Sequence, residues 1–245
     1  MNLYEQIFER AKKGKKSIAI LLDPDKVDEK TLDQTLVAFQ AIGVDYFFVG
    51  GSLLMSSSFN EKVDLIKSKS DIPIILFPGS AMQISDKADA ILLLSLISGR
   101  NPELLIGQHV LAAPSLKKSS LEIIPTGYLL IDGGKSTTAH YISQTLPIPM
   151  DKPEIASCTA MAGEMLGLKL MYLDGGSGAK LPVSQQMISE VKRNTSVPLV
   201  VGGGIKNKTS VDKAFQAGAD IVVIGNSLEK NPELLAEFFE SEYLT

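Results

Sequence analysis

The chain has 245 residues, of which 44% are apolar and 21% are charged, and its formal net charge is −4. This composition suits a soluble domain with one large core, and the absence of a basic stripe argues against nucleic-acid binding. A single cysteine, Cys158, excludes an internal disulfide and a cysteine-based metal site.

The first sixteen residues are charged and amphipathic, unlike the apolar segment of a secretory signal peptide. No run of the sequence approaches the roughly 18 apolar residues that a membrane-spanning helix needs. We therefore expect a cytoplasmic protein.

Eight short runs rich in Ile, Val and Leu are separated by stretches with helical spacing of apolar residues, such as 29–42 and 183–194. The runs cover residues 17–22, 46–49, 74–77, 90–94, 127–131, 170–173, 199–201 and 221–224. Most of them lack polar–apolar alternation, which is typical of parallel strands buried on both faces. Eight strand–helix units predict a closed (β/α)8 barrel (a TIM barrel), and residues 1–245 match the roughly 250 residues of one such domain.

A weak internal repeat supports the barrel. Residues 43–52, GVDYFFVGGS, resemble residues 218–227, GADIVVIGNS. Each segment ends a helix with glycine, enters a strand through aspartate and leaves the strand through glycine, as one strand–helix unit used twice would. An open doubly wound sheet is the alternative fold, but no Gly-x-Gly-x-x-Gly fingerprint follows the first strand.

Two segments depart from the repeat, residues 95–101 and residues 132–151. Both follow strand ends, the side on which a barrel builds its site, and long loops there often act as lids. The second segment contains Lys135, Thr137 and His140, which suit a loop that closes over a diphosphate. An ordinary solvated loop explains these residues as well.

Oxygen donors stand at the exits of the first two strands. Asp23 and Asp25 flank Pro24 after the first strand, and Ser52 follows two glycines after the second. One or two carboxylates, completed by water and a substrate phosphate, suit Mg²⁺. The alternatives are structural: a polar turn that caps the next helix at the first exit, and a tight glycine turn at the second.

The sixth strand ends in YLD at residues 172–174 and is followed by GGSGA at residues 175–179. So many glycines predict a nest of backbone N–H groups for an oxyanion. Asp174 is placed to accept a proton from a substrate hydroxyl, and Tyr172 is placed to point into the barrel mouth.

The exits of the seventh and eighth strands are the most specific signal in the chain. They read VGGGI at residues 201–205 and IGNS at residues 224–227. Barrels commonly hold a phosphate with these two loops and a nearby helix N-terminus, and glycines leave the backbone amides uncovered. We therefore predict a phosphate site here.

Taken in chain order, these exits resemble those of the geranylgeranylglyceryl phosphate synthase family, whose bacterial relatives include the heptaprenylglyceryl phosphate synthases. The resemblance covers nearly the whole chain. RNP at residues 100–102 and GGSG at residues 175–178 look like the second, larger-loop group of that family. Archaeal members often carry Glu at the position of Asp174, and other members have a lysine near the position where leucines precede Asp23.

The resemblance implies a prenyltransferase that joins the 3-hydroxyl of sn-glycerol 1-phosphate to a long isoprenyl diphosphate, with geranylgeranyl diphosphate expected, and releases diphosphate. It implies Mg²⁺ as cofactor on Asp23 and Ser52, and Asp174 and Tyr172 as catalytic residues. The implied glycerol phosphate site consists of Tyr172, Leu173, Asp174, Gly175, Gly176, Ser177, Gly178, Gly203, Gly204, Gly225 and Asn226.

The prenyl chain needs an apolar groove, and the small side chains of Ala112 and Ala113 suggest one along the outer helices. For this family we also expect a homo-oligomer and transient membrane contact, because the product is a lipid. Two other classes of protein stay open. One is a barrel of the histidine or tryptophan pathway, which shares the two-loop phosphate site, and the other is a phosphate-binding barrel without catalysis.

Overall fold

The computed structural model describes residues 1–27, 29–41, 43–55 and 57–225. Within them, eight parallel strands close into a barrel in chain order, with the eighth strand paired to the first. The strands are β1 (Ser17–Leu22), β2 (Tyr46–Val49), β3 (Ile74–Leu76), β4 (Ala90–Leu96), β5 (Glu122–Leu130), β6 (Leu170–Asp174), β7 (Leu199–Gly202) and β8 (Ile221–Ile224).

Helices surround the barrel. They are α1 (Leu3–Lys12), α2 (Glu29–Ala41), α3 (Phe59–Lys69), α4 (Gln108–Lys118), α5 (Thr138–Ser143), α6 (Pro153–Met165), α7 (Gln185–Asn194) and α8 (Lys208–Gln216). A 3₁₀ turn, Pro24–Lys26, follows β1, and a π-helical turn, Glu103–Gly107, leads into α4. In the part of the chain that the structure covers, no helix has both the length and the apolar character to cross a bilayer.

All eight predicted strands are present, so the predicted closed barrel is confirmed. β5 begins at Glu122, well before the predicted start at residue 127. The sequence pattern misses its first half because that half contains Pro125 and has no continuous apolar run. The predicted loop at residues 132–151 is partly ordered, since it contains α5 and a bridge between Ile131 and Ile148. Residues 77–89, between β3 and β4, form turns instead of a helix, in a segment that opens with proline and glycine.

Two apolar layers fill the barrel and its surroundings, because successive strand residues point to opposite faces. Phe48, Leu92 and Tyr172 belong to the layer inside the barrel. Their neighbours in sequence, such as Phe47 and Leu173, belong to the layer between the strands and the helices. Both layers are almost fully buried, so the barrel is a packed core that opens only at its mouth.

The aspartates of the internal repeat tie adjacent strands together at the amino ends of the barrel strands. Three aspartates share this role, and each accepts a backbone N–H of the neighbouring strand at 2.8 Å: Asp45 from Ile18, Asp89 from Ile74 and Asp220 from Leu199. Each carboxylate also pairs with a cation, namely Arg10, Lys67 and Lys192 respectively. The repeat found in the sequence is therefore a strand-pairing device at the end of the barrel opposite the mouth.

Removal of the most buried of these carboxylates is expected to destabilise the barrel. Only 4% of the Asp220 side chain is exposed, against 35% for Asp89. Asp220→Ala leaves the Lys192 ammonium and the Leu199 amide without their partner, so we expect a loss of about 3 kcal/mol in the free energy of unfolding. Asp89→Ala is the matched control, and it should cost clearly less because solvent already screens that pair. Urea denaturation measures both, and equal losses would contradict the role given to burial.

Candidate active site

A cavity of about 320 Å³ opens at the carboxyl ends of the strands. This volume is in the range of small-molecule sites. The predicted site residues that line it come from the exits of five strands, namely Asp23, Ser52, Tyr172, Asp174, Ser177, Gly178, Gly203 and Gly225. The fold therefore brings the separate sequence signals into one place. Asn226 lies outside the described residues.

Asp174, the last residue of β6, lies deep in this cavity with 7% of its surface exposed. Its Oδ1 accepts the backbone N–H of Gly176 at 2.7 Å, and its Oδ2 accepts the hydroxyl of Tyr128 at 2.5 Å. Burial raises the pKa of Asp174, while these two hydrogen bonds and the nearby His140 act in the opposite direction. The carboxylate is thus held from two sides and has lone pairs left for a substrate hydroxyl.

Tyr172 lies inside the barrel two residues before Asp174 and lines the cavity. Its ring stacks on Phe77 with centroids 5.2 Å apart and meets Tyr128 edge-on at 5.5 Å. Burial and the neighbouring Asp174 raise the pKa of Tyr172 well above its ordinary value, so its hydroxyl stays protonated. Among the residues that the structure describes, that hydroxyl has no hydrogen-bond partner, so it can serve a ligand. The prediction that Tyr172 points into the barrel mouth is confirmed.

The loop after β7 approaches the β6 exit too closely for any side chain at Gly203. This residue has φ of +79°, and a Cβ placed on it would lie 2.6 Å from the amide nitrogens of Gly175 and Gly176. Because glycine alone tolerates both conditions, the two loops pack backbone to backbone. The N–H of Gly203 donates to no group in the described part of the chain, so it can donate to an anion.

Four residues of the predicted glycerol phosphate site support it from behind instead of lining it. Leu173 is fully buried between the strands and the helices, on the face opposite the mouth. Gly175 donates its N–H to the Gly202 carbonyl, and Gly176 donates to Asp174, so neither amide is open to an oxyanion. Gly204 (φ +72°) packs against the backbone at residues 181–182. Of the oxyanion nest predicted at residues 175–178, Gly175 and Gly176 are therefore not part, because their N–H groups hold the site together, whereas Ser177 and Gly178 line the cavity.

The exits of β1 and β2 carry the predicted metal residues. Oδ2 of Asp23 lies 2.6 Å from the Lys26 ammonium, and both side chains line the cavity. Asp25, the second predicted carboxylate of this exit, accepts the backbone N–H of Met55 at 2.6 Å and does not line the cavity. It ties the two loops together, which leaves Asp23 as the carboxylate of this exit that faces the cavity.

A buried glutamine, Gln83, holds the β2 exit in place. Its side-chain oxygen accepts the Gly51 N–H at 3.2 Å, and its side-chain nitrogen donates to the Gly51 carbonyl at 2.8 Å. No local sequence signal marks this role, because Gln83 lies far from Gly51 in the chain. The anchored turn brings Ser52 to the cavity wall.

One carboxylate and one hydroxyl fit a Mg²⁺ ion that draws its other ligands from substrate and water. No cluster of three or more acidic, histidine or cysteine side chains suited to a metal occurs among the described residues. Asp23 and Ser52 would therefore need ligands from a substrate such as a diphosphate, and from water, to complete the coordination of a metal.

The apolar part of the cavity runs between β4 and α4. Gln108, Ala112 and Leu116 line it from α4, at the four-residue spacing of one helix face. Ala112 is 7% exposed, whereas the adjacent Ala113 is exposed and does not line the cavity. The predicted groove is thus found at Ala112, and Ala113 is not part of it because it lies on the outer face of the helix.

The two histidines occupy different positions around the site. His109 lines the apolar part of the cavity, and its Nε2 lies 2.8 Å from the Leu94 carbonyl oxygen. His140 is buried on α5, and its Nδ1 accepts the N–H of Thr137 at 3.2 Å. The segment that carries His140 therefore packs onto the site, with Thr137 close to Gly176, instead of forming an ordinary solvated loop.

Fold and site together define a (β/α)8 barrel whose mouth joins glycine-rich strand exits to an apolar groove. The model of the PcrB family matches residues 10–242, and the chain belongs to this family.

Known relatives span nearly the whole chain. A protein of Chitinophaga pinensis named geranylgeranylglyceryl phosphate synthase is 52% identical over 239 residues, which cover 98% of this chain and 95% of that protein. An archaeal protein of the same name, from Korarchaeum cryptofilum, is 40% identical over 95% of this chain and 96% of its own length. The crystal structure of (S)-3-O-geranylgeranylglyceryl phosphate synthase from Thermoplasma acidophilum, in complex with its substrate sn-glycerol 1-phosphate, superposes with a TM-score of 0.91, at 32% identity and 98% coverage of both chains.

The burial of Asp174 predicts a pH-dependent effect on stability. Because folding raises its pKa above the unfolded value near 3.8, this group stabilises the fold fully below that pH, and the stabilisation is lost as the pH rises through the folded-state pKa. Asp174→Asn has no carboxyl group to titrate, so the variant does not lose this stabilisation as the pH rises. The melting temperature of the variant relative to wild type should therefore rise as the pH increases from the unfolded-state pKa through the raised folded-state pKa of Asp174. A difference that falls with pH in calorimetry would contradict the sign of the shift.

Proposed function

We propose that the chain is a geranylgeranylglyceryl phosphate synthase that transfers an isoprenyl group from its diphosphate to the 3-hydroxyl of sn-glycerol 1-phosphate. The observation that carries the proposal is that one cavity brings together the buried Asp174 carboxylate, the glycine-rich exits of β6 to β8 and an apolar groove along α4. A hydroxyl substrate with a phosphate at one end and an apolar partner at the other matches this arrangement.

The phosphate of the acceptor binds at Ser177, Gly178, Gly203 and Gly225, which line the cavity next to Asp174. Backbone amides of such loops favour anions. Lys135 adds a positive charge, because its ammonium lies 3.4 Å from the position that a Cβ on Gly178 would occupy. The phosphate therefore anchors the acceptor at one end, which directs its far hydroxyl toward the carboxylate.

In the reaction, the bond between C1 of the prenyl chain and the diphosphate oxygen breaks and an ether bond forms between C1 and the glycerol 3-oxygen. The diphosphate leaves with the bonding electrons, and positive charge develops at C1. Asp174 orients the attacking hydroxyl and accepts its proton, for which a carboxylate with a raised pKa is well suited. The hydroxyl of Tyr172, on the same strand as Asp174, donates a hydrogen bond to the glycerol substrate.

Asp23 and Ser52 would hold Mg²⁺ together with diphosphate oxygens and water. When bound, this ion neutralises charge on the departing diphosphate. Lys26, which contacts Asp23 and lines the same part of the cavity, places a further positive charge beside the leaving group.

The prenyl chain occupies the groove between β4 and α4. Leu94, Leu104, Ala112 and Leu116 line it, so the groove offers apolar surface along its length. Because α4 rises about 1.5 Å per residue, the groove follows the helix for about 12 Å from Gln108 to Leu116. We expect the depth of this groove to select the donor's length, with geranylgeranyl diphosphate preferred.

The other two classes of protein fit less well. A barrel of the histidine or tryptophan pathway shares the phosphate loops but has no need of an apolar groove or of Asp23 with Ser52. A barrel without catalysis has no need of a buried carboxylate held at the substrate position. We further propose that the enzyme works in the cytoplasm as a homo-oligomer with transient membrane contact, because its product is a lipid.

The direct test supplies the purified protein with labelled sn-glycerol 1-phosphate, Mg²⁺ and prenyl diphosphates of increasing length. Extractable prenylglyceryl phosphate with one preferred chain length is expected. Asp23→Asn should lower the rate at least about 10-fold and raise the Mg²⁺ requirement, while calorimetric binding of sn-glycerol 1-phosphate is retained.

The exposed Asp71, before β3, provides the matched control, and Asp71→Asn should behave as wild type. If wild type binds sn-glycerol 1-phosphate but makes no lipid at any chain length, the barrel without catalysis becomes the better account. An unchanged Mg²⁺ requirement in Asp23→Asn would remove Asp23 from the metal site.

The groove gives a prediction about chain length. Ala112→Phe fills the groove with a ring, so the preferred donor should become shorter and the rate with geranylgeranyl diphosphate should fall at least about 10-fold, because a blocked binding site costs more than about 1.4 kcal/mol. Ala113→Phe adds the same ring on the exposed face of the helix and should leave chain length unchanged. Competition between donors of different length measures the preference of both variants. An equal change in the preferred length in both would place the prenyl chain outside this groove.

A further inference from the structure

We propose that Tyr128 is the positioning residue of the Asp174 carboxylate, holding it toward the acceptor hydroxyl by a hydrogen bond to Oδ2. This inference rests on the proposed prenyl transfer, in which Asp174 handles the glycerol 3-hydroxyl. Neither the exit motifs nor the family resemblance pointed to Tyr128, which lies within β5 two residues before its end.

Two donors on different elements fix the carboxylate. The Gly176 N–H reaches Oδ1 at 2.7 Å from the loop after β6, and the Tyr128 hydroxyl reaches Oδ2 at 2.5 Å from β5. A carboxylate held at one oxygen can still rotate about its Cβ–Cγ bond, whereas one held at both oxygens cannot. Tyr128 therefore removes the remaining freedom of the group that must meet the hydroxyl.

Tyr128 is itself held rigidly. Its ring meets Phe77 edge-on at 5.7 Å and Tyr172 edge-on at 5.5 Å. β5 and β6 pair in register, with Tyr128 opposite Tyr172 and Leu130 opposite Asp174. A hydroxyl on an aromatic ring packed edge-on against two others provides a fixed donor, which is what a catalytic carboxylate needs from its support.

The groups around Asp174 leave Tyr128 as a permanent donor. Burial and the neighbouring carboxylate raise the pKa of Tyr128 well above its ordinary value, so it stays protonated over the working pH range. The titratable side chains that face Asp174 are Tyr128 from β5, Tyr172 from its own strand and His140 from α5. Loss of the Tyr128 hydroxyl removes a donor that favours the charged carboxylate, so the pKa of Asp174 should rise further.

The test compares wild type, Tyr128→Phe, Asp174→Asn and the double variant in the same transfer assay. Tyr128→Phe keeps the ring and should lower kcat about 10- to 100-fold, the cost of a misplaced reacting group. The KM for sn-glycerol 1-phosphate should change much less, because the phosphate loops are untouched. The acidic limb of its pH–rate profile should move to higher pH. Tyr46→Phe removes a buried hydroxyl in the same inner layer, at the amino end of β2. This control should leave kcat and the acidic limb of the pH–rate profile unchanged.

The double variant separates positioning from packing or direct substrate contact. If Tyr128 acts through Asp174, adding Tyr128→Phe to Asp174→Asn should cost less than about twofold, since residues that act as a unit are not additive. An equal loss in both backgrounds, or an unmoved acidic limb, would overturn the inference.

Two further outcomes are decisive. If Tyr128→Phe alone fails to fold but the double variant folds, the hydroxyl serves the buried carboxylate, which supports the inference. If both fail to fold, Tyr128 serves packing and the inference is wrong. A wild type that forms no lipid would count against the proposed function itself. The positioning role would then be judged by the pH below which binding of sn-glycerol 1-phosphate weakens as Asp174 becomes protonated. This pH should be higher in Tyr128→Phe than in wild type.

Discussion

A negative charge buried beside the proposed binding site for another negative charge is the constraint on which this structure depends. Asp174 is almost fully buried, yet it lies next to the loops that are open to a phosphate. Burial disfavours its charge, and two hydrogen bonds partly restore it. Gly203 packs closely on the amides of Gly175 and Gly176, and this packing holds the loop whose Gly176 N–H donates to the carboxylate.

The barrel satisfies this constraint by separating its two ends. At the amino ends of the strands, carboxylates such as Asp45 and Asp220 pair with cations and with backbone amides, and they stabilise the fold. At the carboxyl ends, Asp174 is held by neutral donors, and part of its hydrogen-bonding capacity is left for substrate. The same residue type thus serves stability at one end and chemistry at the other, and the difference lies in whether a fixed cation is paired with it.

Much of the fold could be predicted because the periodicity of the chain agrees with its topology. Eight apolar runs gave eight strands, and the Gly-x-Asp repeat proved to mark strand entry. The strand exits also gave the correct wall residues, because a closed parallel barrel places all exits on one side. What failed depended on the direction of individual groups. The predicted glycerol phosphate site includes Leu173, although strand alternation turns this side chain away from the mouth. It also includes Gly176, whose N–H donates to Asp174 instead of to a ligand.

Contacts between residues distant in sequence could not be foreseen. Gln83 anchors the Gly51 turn, and the segment that carries His140 packs onto Gly176, but nothing local to these residues marks either role. Tyr128 carried a fainter signal, as a polar aromatic residue inside an apolar strand on the same face as the site.

A crystal structure of this protein with sn-glycerol 1-phosphate tests the central claim most directly. We expect the phosphate against Gly178, Gly203 and Gly225, with the 3-hydroxyl within hydrogen-bond distance of a carboxylate oxygen of Asp174 that Tyr128 and Gly176 still hold. A glycerol whose 3-hydroxyl points away from Asp174, or a phosphate bound at Asp23 and Ser52 instead, would contradict it.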